Sequence, residues 1–307
     1  MSRLGVRNEM QVYYPQRPGS DSVLIVHVFN RRQNLANPAI VSYNTLERVL
    51  DHDPIYVTFF TYTFYHDSRA GERAIAAACY RNDSAFVARI IPGEDQYDLI
   101  FLATGTDHNG DDEWTPGFSM PLVEDYDYDG REEVFVYLGP GRDLEPRVLY
   151  CLDMEDQRIE WSLPVAPHVN AKDLLSCRDS INPEVVFTCY NVWNGVSDEN
   201  FSDHYCYLAR VNNRGEVVYN RIISEEHGGR GLWPAEVEGQ FYLFHALPLI
   251  SSEDSLFLPP SRYQLSKIDR DCALLKTIDV GHKMIDLWLS DYQQDGTLDV
   301  YTLYSNG

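Results

Sequence analysis

The sequence is short of positive charge and contains no long apolar run. Its 307 residues include 25 Lys and Arg against 47 Asp and Glu, which gives a formal net charge of −22. A surface this negative repels phosphate backbones and anionic lipid headgroups, so we expect no nucleic-acid partner. No stretch approaches the roughly 18 consecutive apolar residues that a spanning helix needs, so we expect no membrane contact by this segment.

Paired cysteines and common catalytic motifs are also missing. The six cysteines lie far apart, form no C-x-x-C pair, and in four cases sit within apolar, strand-like runs. We therefore expect buried free thiols rather than a metal or redox site. The chain has no H-E-x-x-H, G-x-S-x-G, phosphate-binding G-x-x-x-x-G-K or Rossmann glycine series. These absences lower the expectation of an enzyme, although an enzyme that assembles its site from separate segments would leave no such motif.

A repeat of strand-like segments is the main feature that is present. Aromatic residues make up 13% of the chain, which favours strands because rings pack well on a pleated surface. Apolar runs recur at steps of 60, 51, 56 and 59 residues, beginning at Ala74, Val134, Val185, Phe241 and Val300. Each run is followed by a hairpin-like segment, most clearly at 147–153 and 158–164. A repeat of about 57 residues with three or four short strands predicts an all-β fold, namely a β-propeller of about five blades or a fragment of a larger one.

The two ends of the chain bear on how such a ring closes. We expect an N-terminal extension over residues 1–21 and a single propeller domain over 22–307. Segment 22–50 is typical of the second half of a blade, and segment 283–307 is typical of the first half. Pairing of these two segments would complete one blade and close the ring.

Two acidic loops have the spacing of a calcium-binding loop. In the first, carboxylates stand at loop positions 1, 3, 5 and 9, a glycine stands at position 6, and position 7 offers its backbone carbonyl; the ligand residues are Asp125, Asp127, Asp129, Arg131 and Glu133. The second loop replaces the carboxylate at position 3 with an amide, and its ligand residues are Asp291, Gln293, Asp295, Thr297 and Asp299. Oxygen ligands around one point suit calcium. The alternative is an acidic, solvated turn whose Asp side chains only cap their own backbone.

These loops resemble the FG-GAP and VCBS-type repeats of integrin-like propellers. The position 12 glutamate of an EF-hand is missing, since Val136 and Thr302 stand there, and a strand follows each loop rather than a helix. The hairpin over 147–164, with its Leu-Asp turn and Trp161, resembles a PQQ-like blade. The resemblance implies that each calcium loop joins the first and second strands of a blade and that the calcium is structural.

Histidine shows a second periodicity. Five of the nine histidines fall at steps of 56, 60, 59 and 55 residues, between the last strand of one repeat and the first strand of the next; they are His52, His108, His168, His227 and His282. In a propeller these junctions share one face, so the imidazoles are candidates for a ring that binds a ligand or a transition metal. The alternative is that each histidine fills a repeated turn and bonds to the backbone.

Three functions follow from these features. The first is a non-catalytic binding or sensing module stabilised by calcium, the resemblance implying an input domain of a larger surface or sensor-kinase protein with a protein or carbohydrate ligand on one propeller face. The second is a metal-dependent propeller enzyme, a lyase or glycosidase, that acts on an acidic carbohydrate. The third is an interaction scaffold without a small ligand. Calcium loops favour an extracellular or periplasmic location, where calcium is abundant, and a cytoplasmic location is the alternative.

Overall fold

The structure is a computed structural model, and it describes the backbone of these residues: 8–13, 23–30, 35–42, 48–51, 62–81, 84–91, 97–104, 106–107, 117–139, 144–145, 147–169, 174–177, 183–192, 195–224, 232–237, 240–249, 262–268, 272–281, 284–290 and 299–304. Side chains are described chiefly between residues 63 and 223. Throughout these residues the fold is all-β. None of them belongs to a helix that is long and apolar enough to cross a membrane.

Four-stranded sheets follow one another along the chain. The first sheet contains β1 (Asn8–Tyr13), β2 (Val23–Asn30), β3 (Leu35–Ser42) and β4 (Arg48–Asp51). The second contains β5 (Tyr62–Asp67), β6 (Glu72–Arg81), β7 (Ser84–Ile90) and β8 (Tyr97–Thr104). Two short strands, β9 (Thr106–Asp107) and β12 (Leu144–Glu145), pair with each other. The third sheet contains β10 (Phe118–Glu124), β11 (Glu133–Leu138), β13 (Val148–Asp153) and β14 (Arg158–Pro164).

The same arrangement continues in the second half of the chain. The fourth sheet contains β15 (Leu174–Cys177), β16 (Glu184–Cys189), β17 (Cys206–Asn212) and β18 (Val217–Ser224). The fifth contains β19 (Leu232–Val237), β20 (Gln240–Leu249), β21 (Arg262–Ile268) and β22 (Leu274–Gly281). Two further strands, β23 (Met284–Ser290) and β24 (Asp299–Tyr304), form a hairpin. In all five sheets the strands hydrogen-bond in chain order.

Four of the five apolar runs of the repeat are second strands of four-stranded sheets, and the fifth is the second strand of the β23–β24 hairpin. The five runs predicted from the sequence correspond to β6, β11, β16, β20 and β24. Every residue of β11 is buried, which explains why this strand is a continuous apolar run instead of an alternating one. In β14, at the edge of the third sheet, burial alternates because one face is open to solvent. The prediction of an all-β fold is confirmed.

The chain divides into two compact units, and the third sheet contributes to both. The first unit consists of Met1–Asp125, Asp129–Pro146 and Tyr150–Trp161, and the remaining residues form the second. In the core of the first unit, the rings of Phe135 and Trp161 meet edge to face with centroids 5.7 Å apart. In the second, the rings of Phe201 and Tyr207 meet in the same way at 5.2 Å. Such aromatic pairs contribute about 0.5–1.5 kcal/mol beyond their burial.

The expected organisation of the chain ends is only partly described. Strand β1 falls within the segment 1–21 that was expected to be an extension, and it pairs with β2. Closure of a ring by pairing of 22–50 with 283–307 stays a prediction. Five of the six cysteines, Cys79, Cys151, Cys189, Cys206 and Cys272, are buried free thiols, as expected.

Candidate metal centre

The first acidic loop lies between the first and second strands of the third sheet. Strand β10 ends at Glu124, strand β11 begins at Glu133, and these two residues are paired across the strands. The intervening residues must therefore reverse the chain within a loop that starts and ends at carboxylates. This is the position in a sheet that the resemblance implied for the loop.

Left-handed backbone conformations fold this loop back on itself. Gly130 has a φ of 92° and Tyr128 a φ of 65°. Glycine adopts such angles without a steric penalty, whereas a tyrosine does so at a cost. The backbone N–H of Gly130 donates a hydrogen bond to Oδ2 of Asp125 at 3.1 Å. The glycine at position 6 thus brings the loop back onto the carboxylate at position 1.

Three carboxylates of the loop region converge. Asp125, Asp127 and Glu133 each place one carboxylate oxygen so that all three oxygens lie within 4.8 Å of one another. Glu133 is only 2% exposed. Asp125 is partly buried, and its Oδ1 atom is fully buried without a hydrogen-bond partner among the described residues. A buried acceptor left without a partner is costly, so this oxygen fits a site for a bound cation.

The other two predicted ligands of this loop, Asp129 and Arg131, hydrogen-bond to each other. The backbone N–H of Arg131 donates to Oδ1 of Asp129 at 2.9 Å, and its Nε and Nη2 atoms donate to Oδ2 at 3.0 and 2.8 Å. Asp129 is not one of the three converging carboxylates among the described residues. The structure thus brings together the carboxylates at loop positions 1, 3 and 9. The carboxylate at position 5 pairs with Arg131 instead.

Arg131 also reaches the turn between β13 and β14. Its Nη1 atom donates to Oδ2 of Asp153 at 2.9 Å and to Oδ2 of Asp156 at 2.8 Å. Hydrogen bonds from Arg131 and Arg69 lower the pKa of the Asp156 carboxyl to about 2. The hydrogen bonds of Asp156 and Asp129, together with the charge of Asp153, raise the pKa of the Arg131 guanidinium.

The first strand of the second sheet also ends at a carboxylate, as the first strand of the third sheet does. In the second sheet a guanidinium neutralises this carboxylate. Asp67, the last residue of β5, is completely buried. Its Oδ2 atom accepts hydrogen bonds from Nε and Nη2 of Arg89 at 3.0 and 2.5 Å, and its Oδ1 atom accepts one from the Ala70 N–H at 2.9 Å. Burial acts to raise the pKa of Asp67, but the hydrogen bonds from Ala70 and Arg89 outweigh it, so the pKa is lowered.

Contacts between neighbouring sheets follow one pattern. Within the first unit, the β5–β6 turn contacts the β13–β14 turn, since Ser68 donates from its N–H and hydroxyl to the Glu155 carboxylate at 2.6 and 2.8 Å. Within the second unit, the Tyr126 hydroxyl donates to the Asn213 carbonyl, in the β17–β18 turn, at 3.2 Å. In both cases the loop between strands one and two of a sheet contacts the turn between strands three and four of the next sheet.

The remaining predicted site residues are mostly outside the described residues. Asp291, Gln293, Asp295 and Thr297 are among these, as are His52, His108, His227 and His282, while Asp299 is described only as the first residue of β24. His168 is described: its backbone pairs with that of Tyr190 through two hydrogen bonds of 3.0 Å, and the two rings lie 4.8 Å apart. The proposed histidine ring therefore stays a prediction.

Sequence reasoning missed the residues that surround the acidic loop. Asp153 and Asp156 bind Arg131 of the loop, and Asp67 and Arg89 form the buried ion pair of the second sheet, but none of these residues belongs to a recognised motif. One local signal was available, because Asp153 begins a polar turn and its Oδ1 accepts the Asp156 N–H at 2.9 Å, as turn aspartates commonly do.

Comparison with known proteins leaves the family open. No family model matches the chain. No curated protein is similar to it in sequence.

Proposed function

We propose that this protein is a non-catalytic β-propeller module that binds or senses a ligand and is stabilised by calcium. Five consecutive four-stranded sheets, each connected in chain order, support the propeller arrangement. The proposal extends to a protein or carbohydrate ligand on one face of the ring, an extracellular or periplasmic location, and a place in a larger surface or sensor-kinase protein.

The observation that carries the calcium part is the set of three converging carboxylates with one unpartnered oxygen. Asp125, Asp127 and Glu133 would hold the ion, which would supply positive charge where negative oxygens lie within 4.8 Å of one another. All the donors are oxygens, which calcium prefers. In the second sheet the guanidinium of Arg89 supplies the positive charge at the corresponding strand end.

Titration of the full chain with calcium tests this proposal. Asp295→Asn in the second loop isolates the first loop, and isothermal titration calorimetry of that variant should show one calcium site that Asp127→Asn abolishes. Glu160→Gln is the matched control, because it removes one carboxylate of the same sheet, from β14, outside the converging set. If calcium binding is missing, or if Glu160→Gln weakens it as much as Asp127→Asn does, the calcium part of the proposal fails.

A further inference from the structure

Arg131 and Asp129 form a salt bridge within the acidic loop. Both oxygens of the Asp129 carboxylate accept hydrogen bonds from Arg131, one from its backbone and two from its side chain, at 2.8–3.0 Å. The two side-chain donors meet the same oxygen, Oδ2, and such charge-assisted hydrogen bonds are stronger than those between neutral groups. Asp129 is therefore held in one orientation by the residue two positions later.

The Arg131 side chain is itself fixed from the opposite side. Its Nη1 atom contacts Asp153, whose side chain is 3% exposed, and Asp156. Arg158 contacts the same two carboxylates, at 3.2 and 3.7 Å, but among the described residues it forms no salt bridge with Asp129. A guanidinium held by three carboxylates has little freedom to release one of them.

We infer that Arg131 withholds Asp129 from the calcium site and so limits the site to the carboxylates of Asp125, Asp127 and Glu133. This inference rests on the proposed function. In the calcium-loop spacing, position 5 is a ligand position, and Asp129 occupies it in the sequence. Arg131 is thus a positioning residue that sets how many negative charges the ion meets.

Calcium affinity depends on the number of negatively charged ligands around the ion. Sites with fewer charged ligands bind calcium more weakly, down to dissociation constants of about 0.1–1 mM in extracellular modules. A site that loses one of its four carboxylates to Arg131 belongs to the weaker end of the range. The site then fills only where calcium is abundant, which agrees with the proposed location.

The test is a double-mutant cycle on the full chain carrying Asp295→Asn, with CaCl2 as the only titrant. Asp129→Asn alone should leave the dissociation constant within about twofold, because Asp129 is not a ligand. Arg131→Gln should tighten binding by about tenfold, because the Asp129 carboxylate loses its salt bridge to Arg131 and can join the ion. Asp129→Asn in the Arg131→Gln background should remove that gain.

Arg158→Gln separates this mechanism from a general loss of positive charge. It removes a guanidinium from the same pair of carboxylates, Asp153 and Asp156, and should leave calcium affinity nearly unchanged. A gain in the Arg131→Gln variant that persists with Asp129→Asn, or that Arg158→Gln reproduces, would overturn the inference and leave the calcium site intact.

The Asp129→Asn variant keeps the test decisive even if Arg131→Gln fails to fold. If Asp129→Asn by itself weakens calcium binding as strongly as Asp127→Asn, Asp129 is a ligand and the inference is wrong. If the parent chain, Asp129→Asn and Arg131→Gln all fail to bind calcium, the proposed calcium site is wrong instead. The two failures are therefore distinguishable.

Discussion

The guanidinium of Arg89 donates two hydrogen bonds to one oxygen of Asp67, a carboxylate that is completely buried at the end of β5. Arg89 is itself 11% exposed in its side chain, so the pair is largely removed from water. The Tyr65 hydroxyl donates to the same oxygen at 3.2 Å. This oxygen of Asp67 thus accepts three hydrogen bonds from two strands of the second sheet, and the other oxygen accepts one from the Ala70 N–H.

Removing one partner of this pair should strongly destabilise the protein. Arg89→Met leaves the Asp67 carboxylate buried without its cation, and breaking a buried pair in this way typically costs about 3–5 kcal/mol. Asp67→Asn combined with Arg89→Met should cost less than the two single substitutions added together, because the stranded charge is gone. Urea unfolding of the four proteins measures this coupling, and strictly additive losses would contradict it.

Acid should weaken the ion pairs of Asp156 in a defined pH range. Its pKa is lowered to about 2 by hydrogen bonds from Arg131 and Arg69. A carboxyl whose pKa is lower in the folded state than its unfolded value of about 3.9 adds stability above that value and loses it as the pH falls through the folded pKa. The stability difference between the wild type and Asp156→Asn should therefore shrink between about pH 4 and pH 2.

Urea midpoints at pH 7, 4, 3 and 2 measure the change for Asp156. High salt should reduce the difference at pH 7, because Asp156 is an exposed residue whose pairs are screened. A difference that stays constant from pH 7 to pH 2 would show that these hydrogen bonds do not stabilise the folded state.

Calcium should reverse the order of stability of the wild type and Asp127→Asn. In chelator, the substitution relieves repulsion among three carboxylates within 4.8 Å, so the variant should melt at or above the wild-type temperature. In calcium at a hundredfold excess over the dissociation constant, the wild type should gain about 2.7 kcal/mol and melt about 5 °C higher, while the variant gains less. Scanning calorimetry with calcium and with chelator measures both orders, and parallel shifts in the two proteins would exclude a role for Asp127.

Two glycines should respond differently to alanine. A Cβ atom at Gly117 would lie 2.7 Å from the carbonyl oxygen of Gly139, whose N–H donates to the Gly117 carbonyl at 2.7 Å. Because the obstacle is backbone, Gly117→Ala should cost about 1–3 kcal/mol. Gly71 has a φ of 69° with open space around it, so Gly71→Ala should cost only about 1 kcal/mol of backbone strain. Equal losses in urea unfolding would contradict the close approach of the two backbones.

The buried thiols should react only when the protein opens. Burial raises the pKa of Cys79 to about 12, so its reactive thiolate is scarce at neutral pH. We expect a thiol reagent such as dithionitrobenzoate at pH 8 to label the five described cysteines at the rate of unfolding and all six immediately in urea. Immediate labelling of two or more cysteines in the folded protein would contradict their burial.

Much of the fold could be predicted because the second strands of the second, third and fourth sheets are buried on both faces. Strands such as β11 and β16 are continuous apolar runs, and such runs are visible in a sequence. The first strands were harder to see, since β10 contains polar residues and a register shift between Ser119 and Leu122. A strand of this kind has neither a continuous nor an alternating pattern.

The candidate site could be predicted only as far as local spacing determines it. The loop spacing identified Asp125, Asp127 and Glu133, which the structure brings together. It placed Asp129 in the same set, because nothing within the loop indicates otherwise. The orientation of Asp129 depends on Arg131, which is held by Asp153 and Asp156 from a turn more than twenty residues later. Local spacing carries no information about such a distant partner.

Among the described residues, the third sheet accepts hydrogen bonds from the first loop of the second sheet and donates one from its own first loop to the fourth sheet. Ser68 meets Glu155 in one such contact, and Tyr126 meets Asn213 in the next. The partners differ in chemistry from one junction to the next, a charged carboxylate in the first and a backbone carbonyl in the second. The second, third and fourth sheets are therefore not interchangeable, and exchanging one for another would join a loop to a turn that lacks its matching group.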